Sequence, residues 1–595
     1  MELYIIQNKT PVENREKNAE VQIGIAPLAA NAPICVDPDK LFGRHLAILG
    51  NTGSGKSCSV AGLIRWSLQT AKEFSQKNNK PLNSRFIILD PNGEYSDLFD
   101  DIDKPVRKYK IKLDEENDDK QLKIPAWMWN SHEWISFSQA APGAQRPLLL
   151  QALTDIKRGT TVSESLKIRV HSFLSSRKSL FKSYIVDIPN AEVNFPRFSG
   201  FTDSLEKFVN DLEFYEHAIN IENEILEALA SIKETVKELL RLRLLRRANG
   251  EIYKDANGNT RYTTFTNHDL ENILVSINNV INSLNISTTS ISDINPDTPI
   301  KFNIDKLTPH LLQLAEAQDG NMVQFVHMLS LRMRFLVADE RLKTVVNPAE
   351  EISLENWLNE FIGKDKADNG QIAIIDLSLI PSVVVHIIIA VFSRLVFEAI
   401  QRFRRMNHKE LPTVLILEEA HTFIRDNRFD GTRYSQLCQD VFERIAREGR
   451  KFGLSLVLSS QRPSELSPTV LSQCNTFLLH RIVNDKDQDL VRRLVPDNIG
   501  ALLKELPVLP TRKAIILGWA SPIPILVEMR ELEEKYRPHS NDPEFWDVGV
   551  GNQDRNIDWS IIANDWQGTE GSVEENNDPN ESFNNNETQE EDLPF

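Results

Sequence analysis

Eight residues, Gly50-Asn51-Thr52-Gly53-Ser54-Gly55-Lys56-Ser57, have the composition and spacing of a loop that wraps phosphates. Glycines let backbone N–H groups curl around phosphate oxygens, and a helix starting behind them favours negative charge. In that pattern Lys56 reaches the β- and γ-phosphates, the Ser57 hydroxyl holds Mg²⁺, and Cys58 opens the helix. The bare alternative is a Gly-rich turn before a helix. Context speaks for phosphate: the apolar run His45–Leu49 precedes the loop and a helix-forming stretch, 58–72, follows it.

A second group fits the same chemistry. Val414-Leu415-Ile416-Leu417 ends in Glu418-Glu419. By position Glu418 is the carboxylate beside Mg²⁺ and Glu419 the general base that polarises an attacking water. A Glu rather than an Asp at 418 is unusual for that place, and a solvated strand end is the plain alternative. Ser460-Gln461 closes a further apolar run, so Gln461 can contact the γ-phosphate or the lytic water. Arg444, Arg447 and Arg450 recur at i, i+3 and i+6, on one gradually drifting helix face. Developing charge on a transferred phosphoryl group needs such cations, often from a neighbouring subunit. Surface pairing with Glu443 and Glu448 is the competing explanation. Arg425 is a weaker candidate of the same kind.

These residues need a parallel α/β scaffold. RFIILD (85–90), QIAIIDLS (371–378), VLILEE (414–419), LSLVLSS (454–460), TFLLHRI (476–482) and KAIILG (513–518) are near-continuous apolar runs. That is the signature of parallel strands covered on both faces. Helical segments at 383–405, 436–451 and 485–494 separate them. Between about 123 and 370 long amphipathic helices dominate, including 201–247 and 267–284, with a hairpin signal at 251–262 turning on Asn257-Gly258. The division expected is a short β region over 1–40, a core over 41–122 and 371–538, a helical insertion over 123–370, and an acidic, disordered tail over 539–595. No internal repeat is visible.

The chain has 595 residues, 41% of them hydrophobic, and a net charge of −17. Fifteen Asp and Glu against Arg555 alone give residues 541–595 a charge of −14, which leaves −3 for the rest. A near-neutral body can line a channel with Lys and Arg, so acidity does not exclude nucleic acid. Cys35, Cys58, Cys438 and Cys474 lack C-x-x-C spacing, as suits a reducing compartment without structural zinc. The N-terminus lacks the pattern of a signal peptide. The most apolar run, 379–392, is too short to span a bilayer and reads as a buried helix, so a cytoplasmic protein is expected.

With these residues in view, the chain resembles the HerA-type ATPases of the HerA/FtsK group of P-loop proteins. The resemblance rests on H-L-A-I-L-G-N-T-G-S-G-K-S, D-P-N-G-E-Y (90–95), I-D-L-S (375–378) and E-E-A-H (418–421). It continues through I-A-R-E-G-R-K-F-G (445–453) and S-Q-R-P-S-E-L-S-P-T-V-L-S-Q-C-N-T (460–476). It covers about residues 20–150 and 370–530.

The resemblance implies a RecA-like core of mostly parallel strands, an inserted helical bundle and an N-terminal barrel, for which residues 1–40 are short. It implies a homo-hexameric ring that hydrolyses ATP with Mg²⁺ and drives double-stranded DNA through its channel. Nuclease or sirtuin-like NADase partners, in DNA end processing or anti-phage defence, belong to the same implication. The family's catalytic positions fall on Lys56, Ser57, Glu419 and Gln461, with Arg447 or Arg450 acting in trans. A ring scaffold that assembles an effector, with ATP only switching its state, is the alternative.

DNA contacts of the backbone type are expected in the loops after Asp90 and around 142–147, while the basic stretch 237–247 reads more simply as a solvated face. Trp127, Trp129 and Trp134 read as packing residues. The terminus Glu590-Glu591-Asp592-Leu593-Pro594-Phe595 looks like the terminal peptide of single-stranded-DNA-binding proteins. Readers of that peptide are possible partners through Asp592–Phe595; a solubilising tail is the alternative.

Overall fold

The computed structural model describes residues 20–567 apart from 103, 114–118, 185–196, 217–222, 255–259, 285–293, 319–321, 427–432, 495–499, 539–544, 554 and 556. Two units separate, residues 1–539 and 540–595.

The first unit is built on one sheet of twelve strands. In chain order they are β1 Val21–Ala26, β2 Ala32–Val36, β3 His45–Leu49, β4 Phe86–Asp90, β5 Arg107–Lys110 and β6 Lys120–Gln121. The second half supplies β7 Ile372–Asp376, β8 Thr413–Leu417, β9 Leu454–Ser460, β10 Cys474–Leu479, β11 Lys513–Gly518 and β12 Ile525–Met529. Their order across the sheet is β2-β1-β12-β11-β10-β3-β9-β8-β4-β7-β5-β6. From β10 to β6 every pairing is parallel. All residues of β3, β4, β8 and β9 are buried, because helices cover both faces. This is the expected α/β arrangement of mostly parallel strands.

Three details differ from the sequence expectation. β11 was expected among the parallel strands but runs antiparallel to β10 and β12. An apolar run shows burial on both faces and carries no direction. β1 and β2 pack on the core, as strands too few for a domain of their own must, but as an extension of the main sheet, β1 lying antiparallel to β12, in place of the barrel that the family resemblance implies. The tail expected to be wholly disordered contains helices Phe545–Gly549 and Trp559–Gln567. Its last residues, 568–595, including Asp592–Phe595, lie outside the described residues.

The helix after β7, Ser382–Asn407, is long and apolar enough to cross a membrane, which the run 379–392 alone is not. It is a core helix: 78% of its most apolar window is buried, with Ile387, Val391 and Ile400 in the central cluster.

Within residues 123–370 only the middle has a core of its own. Leu174, Phe208, Leu229, Ile232 and Ile273 form a separate apolar cluster under the helices spanning Val162 to Ser283. The flanking helices Ser131–Ser138, Gln145–Arg158 and Leu307–Gln318 pack into the main core beside the sheet, with Trp129 and Trp134 fully buried. Antiparallel bridges Lys254↔Thr260 and Leu244↔Tyr262 flank the expected hairpin turn, which lies outside the described residues.

A buried ion pair ties the helix Ser131–Ser138 to Ser382–Asn407. Glu133 is inaccessible, and Arg394 donates from Nε and Nη2 to its two oxygens at 2.5 and 2.9 Å. Glu133 also accepts the Asn130 N–H at 2.7 Å, closing a capping box. Removing one member of such a pair strands the other charge in the core, which costs about 3–5 kcal/mol. Glu133→Ala is therefore expected to lower the thermal unfolding midpoint by several degrees; an unchanged midpoint would contradict this assignment.

Candidate active site

Four consecutive strands, β3, β9, β8 and β4, end at one level of the sheet. Their registers pair Leu49 with Ser460, Leu417 with Leu458, and Leu89 with Leu417. Such C-terminal strand edges are where open α/β sheets bind ligands. Each strand delivers one of the motifs read from the sequence.

β3 delivers the loop Gly50–Ser57. It is pinned by main-chain bonds from Gly50 N–H to Ser460 C=O (3.2 Å) and Asn51 N–H to Arg481 C=O (2.8 Å). The Asn51 side chain accepts the Val483 N–H at 2.8 Å. A Cβ on Gly50 would lie 2.5 Å from Cβ of His480, so only glycine lets the loop approach β10. Gly55, at φ 98°, caps the helix Lys56–Asn78 in a conformation that side chains disfavour. The first amides of that helix have no intrahelical acceptor. Thr511 and Arg512, just before β11, back the loop from behind: the Thr511 hydroxyl donates to Gly53 C=O at 3.1 Å and the Arg512 N–H to Ser54 C=O at 3.3 Å.

Lys56 is 4% exposed. Burial pushes its ammonium below the ordinary pKa, against the pull of Glu419, Glu418 and Glu94. Its nearest carboxylate oxygen, Oε1 of Glu419, is 4.0 Å away, an ion pair longer than a hydrogen bond. A buried cation so weakly held beside free helix amides and a glycine cradle fits a polyphosphate.

The acidic pair sits just past β8 rather than within it. Glu419 adopts φ 44° and ψ 51°, a left-handed backbone costing about 1–3 kcal/mol for a non-glycine residue. That turn sends the two carboxylates to different surroundings. Burial pushes Glu419 up, but His421, Lys56 and Gln461 outweigh it and hold it below its ordinary pKa, hence ionised. His421 Nδ1 stands 3.2 Å from its Oε2. Gln461 donates from its side-chain amide to Glu419 and accepts from the Thr52 hydroxyl. Thr52, Gln461 and Glu419 thus form one chain from the phosphate loop to the expected base.

Burial lifts Glu418 to about 7, partly offset by hydrogen bonding from Tyr95. The Tyr95 hydroxyl donates to Glu418 and lies 3.2 Å from the Ser57 carbonyl. Tyr95 is fully buried. Its loop is folded by Asp90, which accepts N–H groups of Asn92, Gly93 and Tyr95 at 3.1, 2.9 and 2.9 Å. Burial lifts Asp90 to about 6 in spite of those donors. Asp90 thus shapes the loop, and Tyr95 links that loop to both Ser57 and Glu418. Ser57 and Glu418 offer the hard oxygen donors that suit Mg²⁺ when phosphate and water complete its shell. Cys58 follows in the helix, its thiol pushed up chiefly by burial.

Lys56, Ser57, Glu418, Glu419 and Gln461 therefore converge, and the arginines do not join them. Arg447 is paired within the chain to Glu443 at 3.3 Å, Arg444 to Glu448 at 3.8 Å, and Arg425 to Glu465 at 3.0 Å. Arg450 is exposed. Tyr95 and His421 were missed as individual side chains, although the strings D-P-N-G-E-Y and E-E-A-H contain them. Thr511 and Arg512 carry no sequence signal.

The Tyr95 hydroxyl is the donor that orients Glu418. Its loss should weaken Mg²⁺-dependent nucleotide affinity in Tyr95→Phe by about 10-fold, as for a hydrogen bond to a charged group. Affinity measured in EDTA should not change. Equal losses with and without Mg²⁺ would contradict the role.

A family model described as "Helicase HerA, central domain" matches residues 21–239. A "Probable helicase" of Methanocaldococcus jannaschii is 25% identical over 522 residues, 87% of this chain and 71% of the relative. The "DNA double-strand break repair helicase HerA" of Pyrococcus furiosus is 31% identical over 214 residues, 31% of this chain and 37% of the relative. A "Probable DNA double-strand break repair helicase HerA" of M. jannaschii is 39% identical over 125 residues, 21% of this chain and 24% of the relative. The last two alignments each span well under half of the relative's length. Over residues 21–239 the chain is thus similar to the central domain of HerA helicases, and its phosphate loop and carboxylate pair stand on neighbouring strands of a parallel sheet.

Proposed function

We propose that the chain is an ATP-driven translocase or helicase acting on double-stranded DNA. The observation that carries this reading is the convergence of Lys56, Glu419 and Gln461 at the ends of three adjacent strands. Relatives described as DNA repair helicases support DNA as the substrate.

Lys56 and the loop amides hold the triphosphate, and bound ATP supplies the phosphoryl group that is cut. Ser57 and Glu418 would hold Mg²⁺, which when bound would neutralise charge on the β- and γ-phosphates. Glu419 is ionised and takes the proton of the attacking water; Gln461 is placed to release it when the γ-phosphate displaces the Thr52 contact. His421 holds Glu419 in place from the other side. Arg447 or Arg450 acts across a subunit boundary in a hexameric ring, Arg447 leaving Glu443 to do so. An effector of the nuclease or sirtuin-like NADase class, in DNA end processing or anti-phage defence, completes the proposal. So does docking of readers of single-stranded-DNA-binding-protein tails on Asp592–Phe595.

Glu419→Gln is expected to bind ATP with unchanged affinity and to lower turnover at least about 100-fold, the scale of a positioned base. In the parent, linear duplex should raise turnover. A variant that still cycles refutes the base; a parent indifferent to duplex refutes the substrate.

A further inference from the structure

Two buried arginines stand at the end of the sheet away from the nucleotide site. Arg85 directly precedes β4, Gln371 directly precedes β7 and Arg107 opens β5, with β7 lying between β4 and β5. The registers pair Phe86 with Ile372 and Arg107 with Ala373. Residues two apart on a strand share a face, so Arg85, Gln371 and Arg107 lie on one face of the sheet. They are 4%, 2% and 4% exposed.

Their donors are only partly used. Arg85 gives Nη1 to the Asn83 side chain at 2.5 Å and Nη2 to the Lys364 carbonyl at 3.0 Å. Arg107 gives Nη1 to the Glu360 carbonyl, which also accepts from the Tyr109 hydroxyl at 2.8 Å. Both lone pairs of that carbonyl are then engaged. Arg85 Nε, Arg107 Nε and Nη2, and Gln371 Nε2 are buried and meet no acceptor among the described residues. The Nε and Nη2 of one guanidinium form the fork that grips an oxyanion through two parallel bonds. In Arg107 that whole edge is open.

The two arginines also converge. A Cβ built on Gly363 would lie 3.5 Å from Arg107 Nη2, 3.6 Å from Arg85 Nε and 3.7 Å from Arg107 Nη1, with nothing nearer. A side chain there would point between the guanidiniums; a glycine at φ 118° keeps the place clear. Burial lowers the pKa of both, and the charge of Arg85 lowers that of Arg107 further.

Helix capping accounts for part of the arrangement. Arg107 Nη1 reaches a carbonyl in the last turn of the helix Leu354–Phe361, where cations are favoured. Capping does not account for a second cation beside the first, or for the Gln371 amide. Carboxylates do not neutralise the pair either. Asp365 and Glu360 attract Arg85 and Arg107 through space without an ion pair. Over the covering segment 360–370, Asp368 is held by Lys104 at 2.8 Å, and Lys364 and Lys366 balance Glu360 and Asp365. The two guanidiniums are what remains, and buried charge without a counter-ion is strongly unfavourable.

We propose that Arg85, Arg107 and Gln371 form a site for a small inorganic oxyanion of the phosphate or sulfate type. The anion accepts from the open Arg107 fork, from Arg85 Nε and from the Gln371 amide. It offsets the repulsion between the guanidiniums and so secures segment 360–370, whose Glu360 and Lys364 carbonyls they hold, to the starts of β4 and β5. The site is separate from the Lys56 loop and stands whatever the chain does with nucleotide or DNA.

The test uses the full chain. Crystals soaked in selenate, a sulfate analogue visible by its anomalous scattering, should show a peak between Arg85 and Arg107. Sulfate, at an ionic strength matched with chloride, should raise the parent's thermal midpoint by about 2–4 °C more than that of Arg107→Gln or Gln371→Met. The comparison with the variants cancels any sulfate held at the Lys56 loop. If Arg107→Gln does not fold, Gln371→Met, which keeps both arginines and the side-chain volume, decides with the parent crystal. Water alone at that place overturns the proposal. A selenate peak with equal shifts in parent and variants marks an adventitious ion only and overturns it as well.

Discussion

Lys56 carries a charge that the fold has taken out of water, and the surrounding architecture answers that constraint. Desolvating an ion costs on the order of several kcal/mol, so a buried ammonium needs anions close by. This one is 4% exposed, and its nearest carboxylate oxygen stands at 4.0 Å. Glu419 is close enough to keep the lysine charged and too far to neutralise it, which leaves the ammonium available to phosphate. The same proximity helps hold Glu419 ionised. One interaction thus sets the state of both the group proposed to grip the nucleotide and the group proposed to activate water.

Placement follows from the sheet. Parallel strands end at one level, so β3, β9, β8 and β4 bring together residues separated by hundreds of positions in sequence. Crossing from β9 to β8 sets Gln461 against Glu419, and crossing from β8 to β4 sets Tyr95 against Glu418. The left-handed backbone at Glu419 keeps the two carboxylates in different environments, one polar and ionised, the other buried and raised to about 7. Two adjacent glutamates can take different roles for that reason. The antiparallel strands β11 and β12 give no group to this cluster, but the turn before β11 braces the phosphate loop.

Much of this was legible in the sequence because it depends on local chemistry. The glycine loop, the apolar strands and the Glu-Glu pair each declare themselves within a dozen residues. The bounds of β3, β9, β11 and the helix Asp485–Leu494 match the apolar and polar periods that the sequence shows. What escaped depends on tertiary pairing. Strand direction cannot be read from an apolar run, so β11 was misassigned as parallel. β12, with partly buried alternate residues, gives a weaker pattern and went unnoticed. Tyr95 reads as an ordinary turn aromatic until β4 is set beside β8. Within residues 123–370 helical periodicity is uniform, and only contacts show that the flanks pack on the main core while the middle keeps its own.

The most direct test of this account is ATP turnover by purified Lys56→Ala beside the parent chain, with nucleotide binding followed in the same samples. Loss of the ammonium should abolish turnover and weaken binding of the triphosphate much more than of the monophosphate, which lacks the β- and γ-groups that Lys56 is proposed to reach. Turnover at the parent rate would contradict the account at its base.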